Sequence, residues 1–81
     1  MNSNFKLFTD GGSRGNPGDS ACGYFLFEDD KLIDFGGLLL GQSTNNVAEY
    51  TGLILGLKNA LKKMIRNLNC YLDSELIVKA T

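Results

Sequence analysis

Three of the nine acidic residues stand where carboxylates can do chemistry. Asp10 follows the alternating stretch Phe5-Lys6-Leu7-Phe8-Thr9 and precedes Gly11-Gly12. Glu49 lies near the start of a long amphipathic stretch, and Asp73 closes the short apolar run Cys70-Tyr71-Leu72. Three carboxylates within a few ångströms repel one another, so each must take up a proton or share a cation. The chain has no histidine, and its two cysteines, Cys22 and Cys70, are isolated. A histidine general base, a Cys/His zinc cage and a disulfide scaffold are therefore excluded. The cation that suits an all-oxygen site is hard, Mg²⁺ or Mn²⁺.

Acids at strand ends and helix starts are also common on a solvated rim. The neighbours set these three apart. Two glycines after Asp10 let backbone amides approach a ligand closely. Thr44-Asn45-Asn46 ahead of Glu49 supply amide side chains able to pair with sugar hydroxyls or base edges, and Ser74-Glu75 follow Asp73.

The elements that must position these acids can be read from periodicity and turn chemistry. Phe5–Thr9 alternates as a half-buried strand that Asp10 closes. Gly11 to Gly18 reads as a loop, with Pro17 and Gly18 suited to the second and third positions of a type II turn. Ala21 to Phe27 and Leu32 to Leu40 read as two further strands, turning at Glu28-Asp29-Asp30-Lys31, with Gly36-Gly37 as a bulge. From Val47 onward Tyr50, Thr51, Ile54, Leu57, Leu61, Met64, Ile65 and Leu68 recur at spacings of three and four. That is the stripe of a helix of about six turns, capped by Ser43 or Thr44 and ended by Asn67 and Asn69, with Glu49 in its first turns. Cys70–Asp73 reads as a fourth strand, and Ser74 caps a second helix, Glu75 to Thr81. The order is that of an α/β domain: three antiparallel strands, a crossover helix, and a fourth strand parallel to the first. Asp10 and Asp73 then share the carboxyl edge of the sheet, the usual ligand site of such folds, and the long helix carries Glu49 toward it.

Three blocks of this chain resemble the first three signatures of type 1 ribonuclease H, in the family's order and at its usual separations. They are Thr9-Asp10-Gly11-Gly12-Ser13-Arg14-Gly15-Asn16-Pro17-Gly18, Thr44-Asn45-Asn46-Val47-Ala48-Glu49-Tyr50 and Leu72-Asp73-Ser74-Glu75-Leu76. The resemblance covers essentially the whole chain. It implies a ribonuclease H-like mixed sheet and metal-dependent endonucleolytic hydrolysis of the RNA strand of RNA–DNA hybrids. Carried over by position, Asp10 would bridge two Mg²⁺ ions, and Glu49 and Asp73 would each hold one of them. One ion would generate the attacking hydroxide and the other would stabilise the departing 3′ oxygen, a scheme that needs no protein base. Asn16, Asn45 and Asn46, with Gly11, Gly12 and Ser13, would read the minor groove, where 2′-hydroxyls mark the RNA strand. Glu75 stands where many members carry a glutamine that contacts a nucleotide.

The family's domain continues beyond the point where these 81 residues stop, and the continuation carries a fourth catalytic aspartate. The resemblance therefore implies a partial domain spanning residues 1–81, truncated at its C-terminus, with the fourth strand left as a sheet edge. Such a chain is expected to be completed by a missing segment or a second chain, or to associate, for instance as a strand-exchanged dimer. The alternative is a non-catalytic nucleic-acid-binding or oligomerising domain of the same fold.

Composition agrees with a small cytosolic domain: 43% hydrophobic, 21% charged, net charge −1. No global positive charge draws the chain to nucleic acid or membrane. Lys58, Lys62, Lys63 and Arg66 read as the solvated side of the long helix. Tyr24, Phe25, Phe27 and both cysteines read as core. Gly36 to Ser43 approaches a phosphate loop in spacing but has Gln42 where the lysine must be, and is rejected.

Overall fold

The computed structural model describes residues 3–72. Asp73, Glu75 and the expected second helix lie outside the described residues. Four strands and one helix follow in the order β1 (Phe5–Ser13), β2 (Gly18–Glu28), β3 (Lys31–Ser43), α1 (Asn45–Lys62) and β4 (Asn69–Tyr71). They form one mixed sheet, β3-β2-β1-β4, in which β1, β2 and β3 run antiparallel and β4 runs parallel to β1. The expected architecture is thus observed.

The strands are longer than their apolar runs. β1 continues through Asp10 to Ser13, pairing Gly11 with Cys22 and Gly12 with Ala21, so Asp10 lies inside the strand and does not close it. The loop shrinks to residues 14–17. There the Asn16–Pro17 peptide is cis and the positive φ falls at Gly15, not at Gly18 as a type II turn would require. Gly18 is needed for another reason: a Cβ there would run into the Arg14 carbonyl. The bulge also moves. Gly36 and Gly37 pair regularly with Tyr24 and Gly23, and the register shifts fall between Ser20 and Ala21 and between Leu26 and Phe27. Gly36 is small because the Tyr24 ring lies over it, 2.8 Å from where a Cβ would sit.

The helix differs most. Thr44 caps it, its Oγ1 accepting from the Val47 amide at 3.3 Å. The helix stops at Lys62 after 18 residues, short of the expected six turns. Met64 turns left-handed (φ 62°), and the Ile65 amide reaches back to the Ala60 carbonyl at 3.1 Å. That pattern satisfies carbonyls at a helix end and swings Ile65 into the core. The face laid on the sheet is Ala48, Gly52, Gly56 and Ala60. Half of the expected apolar stripe points outward: Tyr50, Ile54, Leu61 and Met64 are exposed, while Leu57, Ile65 and Leu68 turn to the core. Small residues win the inward face because they bring the helix backbone close to the strands. At Gly56 a Cβ would meet the Leu7 methyls at 2.8 and 2.9 Å.

The core between α1 and the sheet is Leu7, Tyr24, Leu26, Ala60 and Ile65, with Phe5, Ile33, Leu55, Leu57 and Leu68 packed around it. Of the residues read as core, Tyr24 and Cys22 are buried, whereas Phe25 and Cys70 are exposed. Partial burial still raises the Cys70 thiol above its ordinary pKa. Lys58, Lys62, Lys63 and Arg66 are exposed as expected, although Arg66 lies beyond the helix. No helix among the described residues is long and apolar enough to cross a membrane.

Candidate active site

Strand alternation divides β1 by face. Leu7 and Thr9 are buried under α1, and Phe8 and Asp10 are exposed on the opposite side. Asp10 lines an open depression of about 410 Å³ with Phe8, Gly12, Ala21, Gly23 and Phe25. One of its carboxylate oxygens accepts from the Gly11 amide at 2.9 Å, which orients the side chain.

Glu49 reaches the neighbourhood of Asp10 through glycine contacts. A Cβ on Gly11 would collide with the Ala48 carbonyl group and come within 2.7 Å of the Glu49 amide nitrogen. One turn along, a Cβ on Gly52 would lie 3.1 Å from the Asp10 carbonyl oxygen. Both glycines therefore let the second turn of α1 sit directly on the Asp10–Gly11 peptide. Glu49 is half-buried and belongs to that second turn; the first turn carries no acid.

The amide residues form a staple joining the β1–β2 connection to the helix start. The Ser13 amide donates to Asn45 Oδ1 at 2.8 Å, and the Asn45 amide donates to Asn16 Oδ1 at 3.2 Å. Because both donors are backbone N–H groups, the accepting atoms must be oxygens. The NH₂ group of each side chain takes no part in these bonds. Asn46 lines a separate cleft of about 230 Å³ with Glu49, Tyr50, Leu53 and Leu72. Gly12 is open, its nearest neighbour to a built Cβ being Asn45 Oδ1 at 3.8 Å.

The structure thus gathers Asp10, Gly11, Gly12, Ser13, Asn16 and Asn45 toward the C-terminal end of β1 and sets the Glu49 backbone against Gly11, whereas Asn46 and Glu49 line the separate cleft. Among the described residues no group of three acids, cysteines or histidines is close enough to hold a metal. The donors that are present, carboxylates and amides, are the oxygen set a hard divalent ion takes. The internal bonds of Asn16 and Asn45 had no sequence signal, since an amide reads the same whether it faces backbone or ligand.

A family model described as RNase H matches residues 2–81. The chain is 42% identical over 72 residues to the bifunctional protein Rv2228c of Mycobacterium tuberculosis, covering 86% of this chain and 20% of that protein. It is 40% identical over 73 residues to ribonuclease HI of Halobacterium salinarum, covering 89% of this chain and 37% of that one. Among solved structures, the N-terminal RNase H domain of Rv2228c from M. tuberculosis superposes with a TM-score of 0.85 at 36% identity, covering 98% of this chain and 58% of that one. LC11-RNase H1 in complex with an RNA/DNA hybrid superposes with a TM-score of 0.80 at 33% identity, covering 93% and 58%. The chain therefore spans less than two thirds of the length of these relatives. Its fold, its motifs and the family match over residues 2–81 agree, and the chain belongs to the RNase H family.

Proposed function

We propose that this chain carries the first part of a metal-dependent endonuclease that hydrolyses the RNA strand of RNA–DNA hybrids. The observation that carries the reading is the register of the two parallel strands. Phe8 pairs with Tyr71, and Asp10 and Asp73 each follow their member of that pair by two residues. Leu72, which precedes Asp73 in sequence, shares a cleft with Glu49. That register and that cleft support the reading that Asp10, Glu49 and Asp73 serve one end of the sheet.

In this reading Asp10, Glu49 and Asp73 hold two Mg²⁺ or Mn²⁺ ions. Such ions supply an activated water and neutralise charge on the departing oxygen. The protein's own part is to position. Asp10 is fixed by its bond to the Gly11 amide, and Glu49 by the close seating of α1. Asn16, Asn45 and Asn46 offer NH₂ donors to 2′-hydroxyls, with Gly11 to Ser13 as backbone partners and Glu75 further along. A relative of this fold, LC11-RNase H1, is solved in complex with an RNA/DNA hybrid, which supports a hybrid as the substrate class.

The relatives extend beyond the matched region, so full activity calls for a further segment or a second chain. Among the described residues β4 is an edge of the sheet, and strand exchange between copies there is one route to such completion. Incubation with a labelled hybrid in Mg²⁺, alone and with the C-terminal part of a relative added, tests the reading. Cleavage that is lost in Asp10→Asn supports it. Hybrid binding that is independent of metal, with no cleavage under either condition, overturns it in favour of a binding domain.

A further inference from the structure

A nucleic acid is a polyanion, and the candidate site is built on carboxylates. Each acid there repels phosphate unless a cation offsets it. Among the described residues Arg14 is the one cationic side chain at that end of the sheet. From residue 10 to residue 30 every other charged side chain is acidic, and from residue 32 to residue 57 the charged residues are Asp34 and Glu49. Lys31 pairs with Glu28, and Lys6 with Phe27, toward the opposite end of the strands. α1 runs back in that direction, seating Gly52 on the Asp10 carbonyl and Gly56 on the Leu7 methyls. Lys58, Lys62 and Lys63 follow Gly56 and so lie away from the site, and Arg66 lines a cavity with Ser3 and Phe5.

Arg14 lines an open pocket of about 510 Å³ with Gly12, Ser13, Asp19, Ala21 and Leu39. Gly12 and Ala21 also line the Asp10 depression, so the two hollows adjoin. The backbone at Arg14 is held on both sides. Its amide donates to the Asp19 carbonyl at 2.9 Å, and the Ser13 amide before it donates to Asn45 Oδ1 at 2.8 Å. The side chain itself is exposed. A cation on a fixed backbone has less freedom to lose when it captures a ligand.

We propose that Arg14 holds a backbone phosphate of the hybrid, an inference that rests on the hybrid being the substrate of this site. The guanidinium fork matches two phosphate oxygens at once. Four residues separate Arg14 from Asp10, about 13 Å at the rise of a strand. The phosphate held is therefore not the one attacked beside Asp10. Arg14 is a binding residue that fixes where the duplex lies, and it carries no sequence information. Asp19, in the same pocket, is the competing partner. An ion pair across the loop would give Arg14 a part in stability and none in binding.

Fluorescence anisotropy of a labelled RNA–DNA hybrid, titrated with the 81-residue chain in Mg²⁺ at several sodium chloride concentrations, tests this. All variants carry Asp10→Asn, which keeps the hybrid intact. Arg14→Ala is expected to raise Kd about tenfold at low salt and to lower the slope of log affinity against log salt by about one. Arg14→Lys keeps the slope and recovers part of the affinity, and Lys62→Ala changes neither. Thermal melts should coincide for all of them. Unchanged affinity and slope in Arg14→Ala overturn the proposal and leave the hybrid reading standing. A lower melting temperature at unchanged affinity assigns Arg14 to Asp19 and also overturns it, as does a loss of slope in Lys62→Ala alone. A parent chain that binds no hybrid at any salt overturns the hybrid reading and the proposal together.

Discussion

Gly11 of β1 and Glu49 of α1 meet backbone to backbone: a Cβ built on Gly11 would come within 2.7 Å of the Glu49 amide nitrogen. The contact is between main chains, so no rotamer change can relieve a larger residue. Gly11→Ala is expected to push α1 away from β1 and destabilise the chain by about 2–3 kcal/mol. Chemical denaturation measures the loss. An unchanged midpoint would mean that the two backbones are not pressed together.

The Thr44 cap makes an independent prediction at the helix start. Thr44→Ala removes the Oγ1 acceptor of the Val47 amide and should cost about 1 kcal/mol, whereas Thr44→Ser should recover most of it. Thermal melts of the two variants decide the matter. Equal melting temperatures would show that the cap contributes nothing.

Asn45 carries two tasks that substitution can separate. Asn45→Asp keeps an acceptor for the Ser13 amide, and so is expected to retain the native melting temperature. It lacks the NH₂ donor, so hybrid affinity should fall at least severalfold. Asn45→Ala loses both, with about 1 kcal/mol of stability gone as well. Paired melting and hybrid-binding measurements distinguish the tasks, and full hybrid affinity in Asn45→Asp would remove Asn45 from the contact surface.

Tyr24 gives the fold a pH limit. Its hydroxyl donates to Asp34 Oδ2 at 2.9 Å, and burial, followed by that bond and the Asp34 charge, pushes its pKa up to about 12. The unfolded chain releases the same proton near pH 10. Because the folded value is raised, the contribution is whole below pH 10 and is lost as pH climbs from about 10 toward about 12. Denaturation midpoints across that window should fall in the native chain and fall less steeply in Tyr24→Phe.

Much of this architecture was legible because each element carried its own signal. Alternation marked β1, an aromatic-rich run marked β2, Ser43 or Thr44 marked the helix start, and the crossover order gave β4 its direction. The inward face of α1 was misread because hydropathy weighs Tyr50, Ile54 and Leu61 above Ala48, Gly52, Gly56 and Ala60. Close seating on a sheet selects for small size, which a hydropathy stripe does not record. The helix end was missed because the left-handed residue is Met64, where glycine is the usual cue. Gly11 and Gly12 suggested a loop by type, yet they pair in the ladder and serve close approach. Asp10 and Glu49 were legible as carboxylates near one edge, and their seating by Gly11 and Gly52 was not.

The alternation of β1 has a consequence for how the molecule can vary. Leu7 and Thr9 answer only to α1, and Phe8 and Asp10 only to the open face. A change at Phe8 or Asp10 alters what the surface binds without disturbing the helix packing, and a change at Leu7 does the reverse. Stability and recognition are thus separately adjustable along four consecutive residues, and a one-residue insertion there would exchange the two roles at once.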